Sequence, residues 1–242
     1  MIEIKPLASG SSGNCYFVSD GKTSLLLDAG ISIKEIEIGC NFRLSSVAGA
    51  LITHRHNDHC KAVPALIKRG ISVYASKDVF ESKKVAGHRC KEISSVIDDK
   101  TAKLGRVYNI GSFYVYPFSV FHDVPNLGFY IHSTITNENL LYFTDTYYVK
   151  HVFPDLNFII AEANYSLDAS DESVHQGRIP FNLQKRLFKS HMRIDTLLEM
   201  LKSNDLSKCK RIYLCHLSDN NSREQDFKKQ VQAATGVEVY IC

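Results

Sequence analysis

The residues with chemistry to offer are concentrated in the run Ile52-Thr-His-Arg-His-Asn-Asp-His-Cys60, which supplies His54, His56, Asp58 and His59. Three further donors follow at long intervals: His122, Asp145 and His216. Four donors so close together are too many for one tetrahedral ion once distant residues join them, but they suit two adjacent metals. Two divalent cations about 3.5–4 Å apart acidify a bridging water and bind phosphate oxygens. Hydroxide then attacks phosphorus in line, while the cations neutralise charge growing on the leaving oxygen. The pattern points to a dinuclear metallohydrolase.

For any single histidine, a hydrogen-bonded core or surface role is the commoner one. For the run it is not. An aspartate and three histidines placed directly after an apolar strand leave several polar groups to satisfy unless metals take them up.

These donors need rigid supports, and the surrounding chain provides them. Val47-Ala-Gly-Ala-Leu-Ile-Thr53 reads as a short strand buried on both faces. His54 and His56, two apart, project to one side of an extended segment. A helix is expected from His59 to Lys68-Arg69, closed by Gly70. His122, Asp145 and His216 each follow a strand-like stretch (Tyr114–Phe121, Leu140–Thr144 and Ile212–Cys215), and strand ends on one sheet edge bring distant residues together. Further strands are expected at Ile2–Pro6, Cys15–Val18, Ser24–Asp28, Ile71–Ala75, Leu127–Ser133, Phe158–Ala161 and Val237–Ile241. Helices are expected at Ile33–Gly39, Phe181–Lys189, Ile194–Ser203 and Ser222–Thr235.

The donor run resembles the signature of the metallo-β-lactamase superfamily. Leu7-Ala-Ser-Gly-Ser-Ser-Gly-Asn14, Leu27-Asp-Ala-Gly-Ile31, Phe143-Thr-Asp-Thr-Tyr147 and His216-Leu-Ser-Asp-Asn-Asn221 are similar to its YycJ/WalJ-like exonuclease branch. The resemblance implies a four-layer αββα sandwich and metal-dependent 5′-to-3′ DNA exonuclease activity. It also implies a ligand set: His54, His56 and His122 on one metal, Asp58, His59 and His216 on the other, and Asp145 bridging. An aspartate bridge with histidine at the second metal resembles the phosphodiesterase branches, and hard oxygen donors keep manganese competitive with zinc. A cyclic-nucleotide phosphodiesterase and a tRNA 3′-processing-like nuclease acting on RNA share these donors and are the alternative enzymes. A metal-braced binding protein is the non-catalytic alternative.

Two residues outside the ligand set draw attention. Glu162, in Ala161-Glu-Ala-Asn-Tyr165, resembles a family segment and is expected to orient a metal-bound histidine. His191, in Lys189-Ser-His-Met-Arg193, falls where the branch has His-Leu-Ser-Asn, but the Ser-Asn is absent here. It is expected to serve phosphate or leaving group from a pKa near its ordinary 6.5. The Gly10-Ser-Ser-Gly-Asn14 loop reads as a tight turn rather than a phosphate cradle. His88, His132, His151 and His175 match no ligand motif.

Composition bounds the rest. Length, 44% hydrophobic residues and 23% charged residues suit one globular domain over residues 1–242. No apolar run approaches the roughly 18 residues of a membrane span, and Met1-Ile-Glu-Ile-Lys-Pro does not read as a signal peptide. Seven scattered cysteines, with no Cys-x-x-Cys pair, argue against a disulfide scaffold and for a reducing cytoplasm. Cys60 and Cys215, beside proposed ligands, read as small buried hydrophobes. A net charge of +3 does not identify a nucleic-acid binder, but Lys185-Arg186, Lys189 and Arg193 around His191 can follow a phosphate backbone, as can Lys228-Lys229.

Overall fold

The computed structural model describes residues 1–95 and 107–242. The chain forms two compact units, one of residues 1–119 and 124–138, the other of residues 120–123 and 139–242.

The first unit begins with β1 (Glu3–Ala8), β2 (Cys15–Ser19), β3 (Ser24–Leu27), α1 (Ile33–Gly39), β4 (Val47–Leu51), α2 (Asn57–Cys60) and α3 (Val63–Lys68). It continues through β5 (Val73–Ala75), α4 (Lys77–Lys83), β6 (Cys90–Glu92), β7 (Tyr108–Ile110), β8 (Phe113–Val120) and β9 (Asn126–Ser133). Strands β1 to β6 form a sheet in chain order, antiparallel from β1 to β3 and parallel from β3 to β6. Leu26, Ala50 and Val73 of this sheet, with Ile52 just after β4, pack with Ile36 of α1, Val63 and Leu66 of α3, and Val79 and Phe80 of α4. Burial of these side chains fixes the strand ends from which the donor loop emerges. Strands β7, β8 and β9 follow one another in a second sheet. Asp20, buried in the β2–β3 turn, anchors it: its Oδ2 accepts from the hydroxyls of Ser112 (2.6 Å) and Ser133 (2.8 Å). Burial pushes the Asp20 carboxyl up, but these hydrogen bonds and those from Thr23 and Lys22 outweigh it and hold it below its ordinary value.

The second unit contains β10 (Glu138–Phe143), β11 (Leu156–Glu162), α5 (Leu167–His175), α6 (Phe181–Ser190), α7 (Ile194–Lys202), β12 (Arg211–Cys215), α8 (Glu224–Thr235) and β13 (Glu238–Ile241). Strands β10 to β13 run parallel, and every residue of β10 and β11 is buried, as strands covered on both faces must be. Leu197 and Leu201 of α7 and Phe227 and Val231 of α8 are buried, with α8 lying against α7 and β13.

The expected helix from His59 onward is two short helices. The Ala62 amide leaves the helical ladder to bond Ala29 O at 2.8 Å, and Pro64 then opens α3. Helices α4 and α5 escape the sequence pattern, because their few apolar residues carry little 3.6-residue periodicity. No helix among the described residues is long and apolar enough to cross a membrane.

Candidate metal centre

In the first unit the loop after β4 and the short helix α2 that follows it gather His54, His56, Asp58 and His59. His54 and His59 are fully buried, with ring centroids 4.2 Å apart. The Thr53 hydroxyl sits 3.0 Å from His54 Nδ1, so His54 turns its Nε2 toward His56 Nδ1, also at 3.0 Å. His59 Nε2 faces Asp58 Oδ2 at 3.4 Å. Two neutral imidazole nitrogens meeting at that distance share one proton at most, whereas a cation accepts lone pairs from both. This donor set fits a divalent metal.

The residue that orients the loop is Asp28, to which the sequence alone assigns no role. Its Oδ2 accepts the Nδ1–H of His59 at 2.8 Å, and its Oδ1 accepts from the Thr53 amide (2.8 Å) and hydroxyl (3.0 Å). Binding the proton on Nδ1 leaves Nε2 as the donor nitrogen, the usual support of a metal-ligating histidine. Asp28 directly follows β3 and has φ 57°, a left-handed conformation that Asp tolerates better than most residues. Asn14 Nδ2 lies 3.1 Å from His59 Nε2, and the Asn14 amide bonds Asp58 O at 2.8 Å. Gly30 is required beside them, since a Cβ there would stand 1.6 Å from Asp58 O. The Gly10–Asn14 segment is a turn, with the Gly13 amide bonding Gly10 O. The Cys60 thiol donates to the carbonyls of Arg55 and His56, and burial pushes it up to about 11.

In the second unit, donor atoms of Asp145, Glu162, His191 and His216 all lie within 4.8 Å of one another. Asp145 follows β10 with φ 51°, and His216 follows β12 with φ 52°. Both are left-handed turns, which cost free energy and re-aim the side chain where the strand ends. Asp145 Oδ1 stands 3.5 Å from His216 Nε2, while Asn164 Nδ2 donates to His216 O at 2.7 Å. His122 Nδ1 faces Ser190 O at 3.1 Å, and burial pushes His122 below its ordinary value, favouring the neutral imidazole a metal needs.

Glu162 is fully buried and central. Its Oε1 meets His191 Nδ1 at 2.7 Å and His216 Nδ1 at 3.4 Å; its Oε2 accepts from the amides of Thr146 and Met192. Burial pushes Glu162 up, but the His191 charge and bonds from His191 and His216 hold it below the usual carboxylate value. Asp145 Oδ1 is also 3.1 Å from His191 Nδ1. Burial disfavours the His191 imidazolium, yet the Glu162 charge and the bonds to Asp145 and Glu162 overcome this and raise it to about 10. The expectation of an ordinary His191 pKa therefore does not hold, because two carboxylates share one ring nitrogen. His88, His132, His151 and His175 join no donor group among the described residues.

Residues 23–217 match the family model described as the Beta-lactamase superfamily domain. The chain is 32% identical over 230 residues to Exodeoxyribonuclease YycJ of Bacillus anthracis, covering 90% of this chain and 83% of that protein. It is 28% identical over 229 residues to Exodeoxyribonuclease WalJ of Streptococcus pneumoniae serotype 2 (strain D39), covering 90% and 82%. The crystal structure of the metallo-beta-lactamase fold protein YhfI from Bacillus subtilis matches with a TM-score of 0.73 at 16% identity, covering 100% of this chain and 96% of that one. The αββα fold class expected from the sequence holds, with helices and two sheets in a mixed α/β chain. On this matched length and identity, the chain belongs to the metallo-β-lactamase superfamily, in its YycJ-like branch.

Proposed function

We propose that this hydrolase is a dinuclear metal-dependent phosphodiesterase that shortens DNA from a 5′ end in the cytoplasm. The observation that carries the chemistry is the loop of His54, His56, Asp58 and His59, whose nitrogen and carboxylate donors are held facing one another by Asp28, Thr53 and Asn14. The names of the YycJ and WalJ relatives support DNA as substrate. The family model enters both compact units, which supports reading the chain as one catalytic domain.

In this reading His54, His56 and His122 would hold one cation, Asp58, His59 and His216 the other, and Asp145 both; zinc and manganese suit the mixed donors. When bound, the cations supply a water acidified towards neutrality and neutralise phosphate charge. The chain's own residues prepare the site. Asp28 and Ser190 O hold protons on the Nδ1 atoms of His59 and His122, so each ring turns Nε2 outward for ligation. Glu162 holds His191 through Nδ1, which leaves the opposite N–H of the imidazolium to be delivered to the leaving oxygen.

The test is a substrate panel with added manganese or zinc: linear DNA, covalently closed circular DNA, tRNA precursors, cyclic mononucleotides and a bis-aryl phosphodiester. Progressive shortening of linear DNA from the 5′ end, with closed circles resistant, is expected. Equal cleavage of circles and linear DNA overturns exonuclease action. Turnover confined to cyclic nucleotides or RNA transfers the site to the alternative enzymes, and no turnover of any diester leaves a metal-braced binding protein.

A further inference from the structure

Phe121, Tyr147 and Tyr148 adjoin metal donors in the chain, yet the chemistry above uses none of them. Phe121 precedes His122, and Tyr147 comes two residues after Asp145. The three rings are 39%, 43% and 45% exposed. They also touch: Phe121 lies 5.4 Å from Tyr147 and 6.5 Å from Tyr148 between centroids, with interplanar angles of 31° and 32°. The exposed Lys150 places its ammonium 5.9 Å from the centre of the Phe121 ring.

The cluster is held firmly. Thr146 Oγ1 accepts from the amides of Phe121 (3.0 Å) and Tyr148 (3.3 Å) and donates to Tyr148 O (2.8 Å), while the Thr146 amide donates to Glu162 Oε2. The rings are thus tied to the carboxylate that orients His191. Three grouped aromatic faces left in water, fixed beside catalytic groups, mark a binding surface. The neighbouring cation says what it takes: Lys150 lies against Phe121, and α6, which carries the exposed Lys189, ends at Ser190, whose carbonyl meets His122. A ligand with flat apolar faces and a negatively charged chain meets both demands.

We propose that Phe121, Tyr147 and Tyr148 form a stacking platform for unpaired bases at a single-stranded DNA end, with Lys150 attending the backbone phosphate. Stacking on aromatic side chains tolerates any base because every base has a π face, and bases inside a duplex do not offer theirs. The proposal rests on the phosphodiesterase reading and adds single-strandedness to the substrate.

The test measures, on the metal-loaded full chain, fluorescence anisotropy with a nuclease-resistant phosphorothioate oligothymidylate and an abasic strand of equal length. Wild type should bind the thymidylate strand about tenfold or more tightly, the size of one base stack. A Tyr147→Ala, Tyr148→Ala double variant should lose that preference, and a Tyr147→Phe, Tyr148→Phe double variant should keep it. Equal binding of both strands by wild type, or loss of the preference in the Phe variant, overturns the platform, and neither outcome depends on the Ala variant folding. Base-dependent binding without DNA cleavage would refute the DNA-exonuclease reading and keep the platform; DNA cleavage without base-dependent binding would do the reverse.

Discussion

His191 shows how a single residue draws its character from its surroundings. With Glu162 Oε1 at 2.7 Å and Asp145 Oδ1 at 3.1 Å, its imidazolium persists far above the ordinary histidine range, to about 10. A folded pKa raised above the unfolded value of about 6.5 adds stability that is fully present below that pH. The contribution is lost as pH rises through about 10. Metal-free protein should therefore lose thermal stability progressively from about pH 6.5 to about 10, and His191→Gln should flatten that slope; parallel slopes in both proteins would contradict the ion pair. In the metal-loaded enzyme, His191→Ala should keep both metals by elemental analysis yet lose roughly 10²–10⁴-fold in DNA turnover, and less on a nitrophenyl ester whose leaving group needs no proton. Asp145→Asn should abolish turnover on every diester while the fold persists by circular dichroism, because it removes the charge assigned to both cations. Near-wild-type rates with two metals bound would refute that assignment.

At the scale of elements, the ligand loop is positioned by strand ends and a close backbone approach. The β3 end brings Asp28 to His59 and Gly30 to Asp58, while Asn14, just before β2, closes from the other side. Gly30→Ala forces a Cβ into a backbone carbonyl that no side-chain rotation relieves. Its cost should reach or exceed the top of the roughly 1–3 kcal/mol range of core overpacking, measurable by urea denaturation. Asp28→Asn retains the volume and a tolerance of left-handed backbone, so the fold should survive. Metal affinity should fall about 10–100-fold, read by chelator competition. Unchanged affinity would remove Asp28 from its orienting role.

For the whole molecule, buried carboxylates and imidazoles that face one another are stabilised by any cation that binds only the folded state. At free metal of about 100 times Kd the gain is about 2.7 kcal/mol per ion. For a chain of this length that corresponds to a rise of about 5–10 °C in Tm. Calorimetry with zinc or manganese, reversed by chelator, should show it, and His54→Ala and His216→Ala should each diminish it. A Tm indifferent to metal would count against a resident centre.

The sequence by itself determined the donor run, because residue type and spacing are local facts: His54, His56, Asp58 and His59 fall within six residues of one another directly after an apolar strand. It also marked β4 and β11 as buried strands through their continuous apolar character, and it placed β10, β12 and α1 within two residues of their observed bounds. Only the tertiary structure decided the rest. Asp28 orients His59 across 31 residues, and a carboxylate after an apolar strand carries no local sign of that task. The left-handed turns at Asp28, Asp145 and His216 are imposed by the direction the chain must take beyond each strand. His191 has a pKa near 10 because Glu162 and Asp145 arrive from β11 and from the turn after β10, and electrostatics depends on distance in space, which spacing along the chain does not encode.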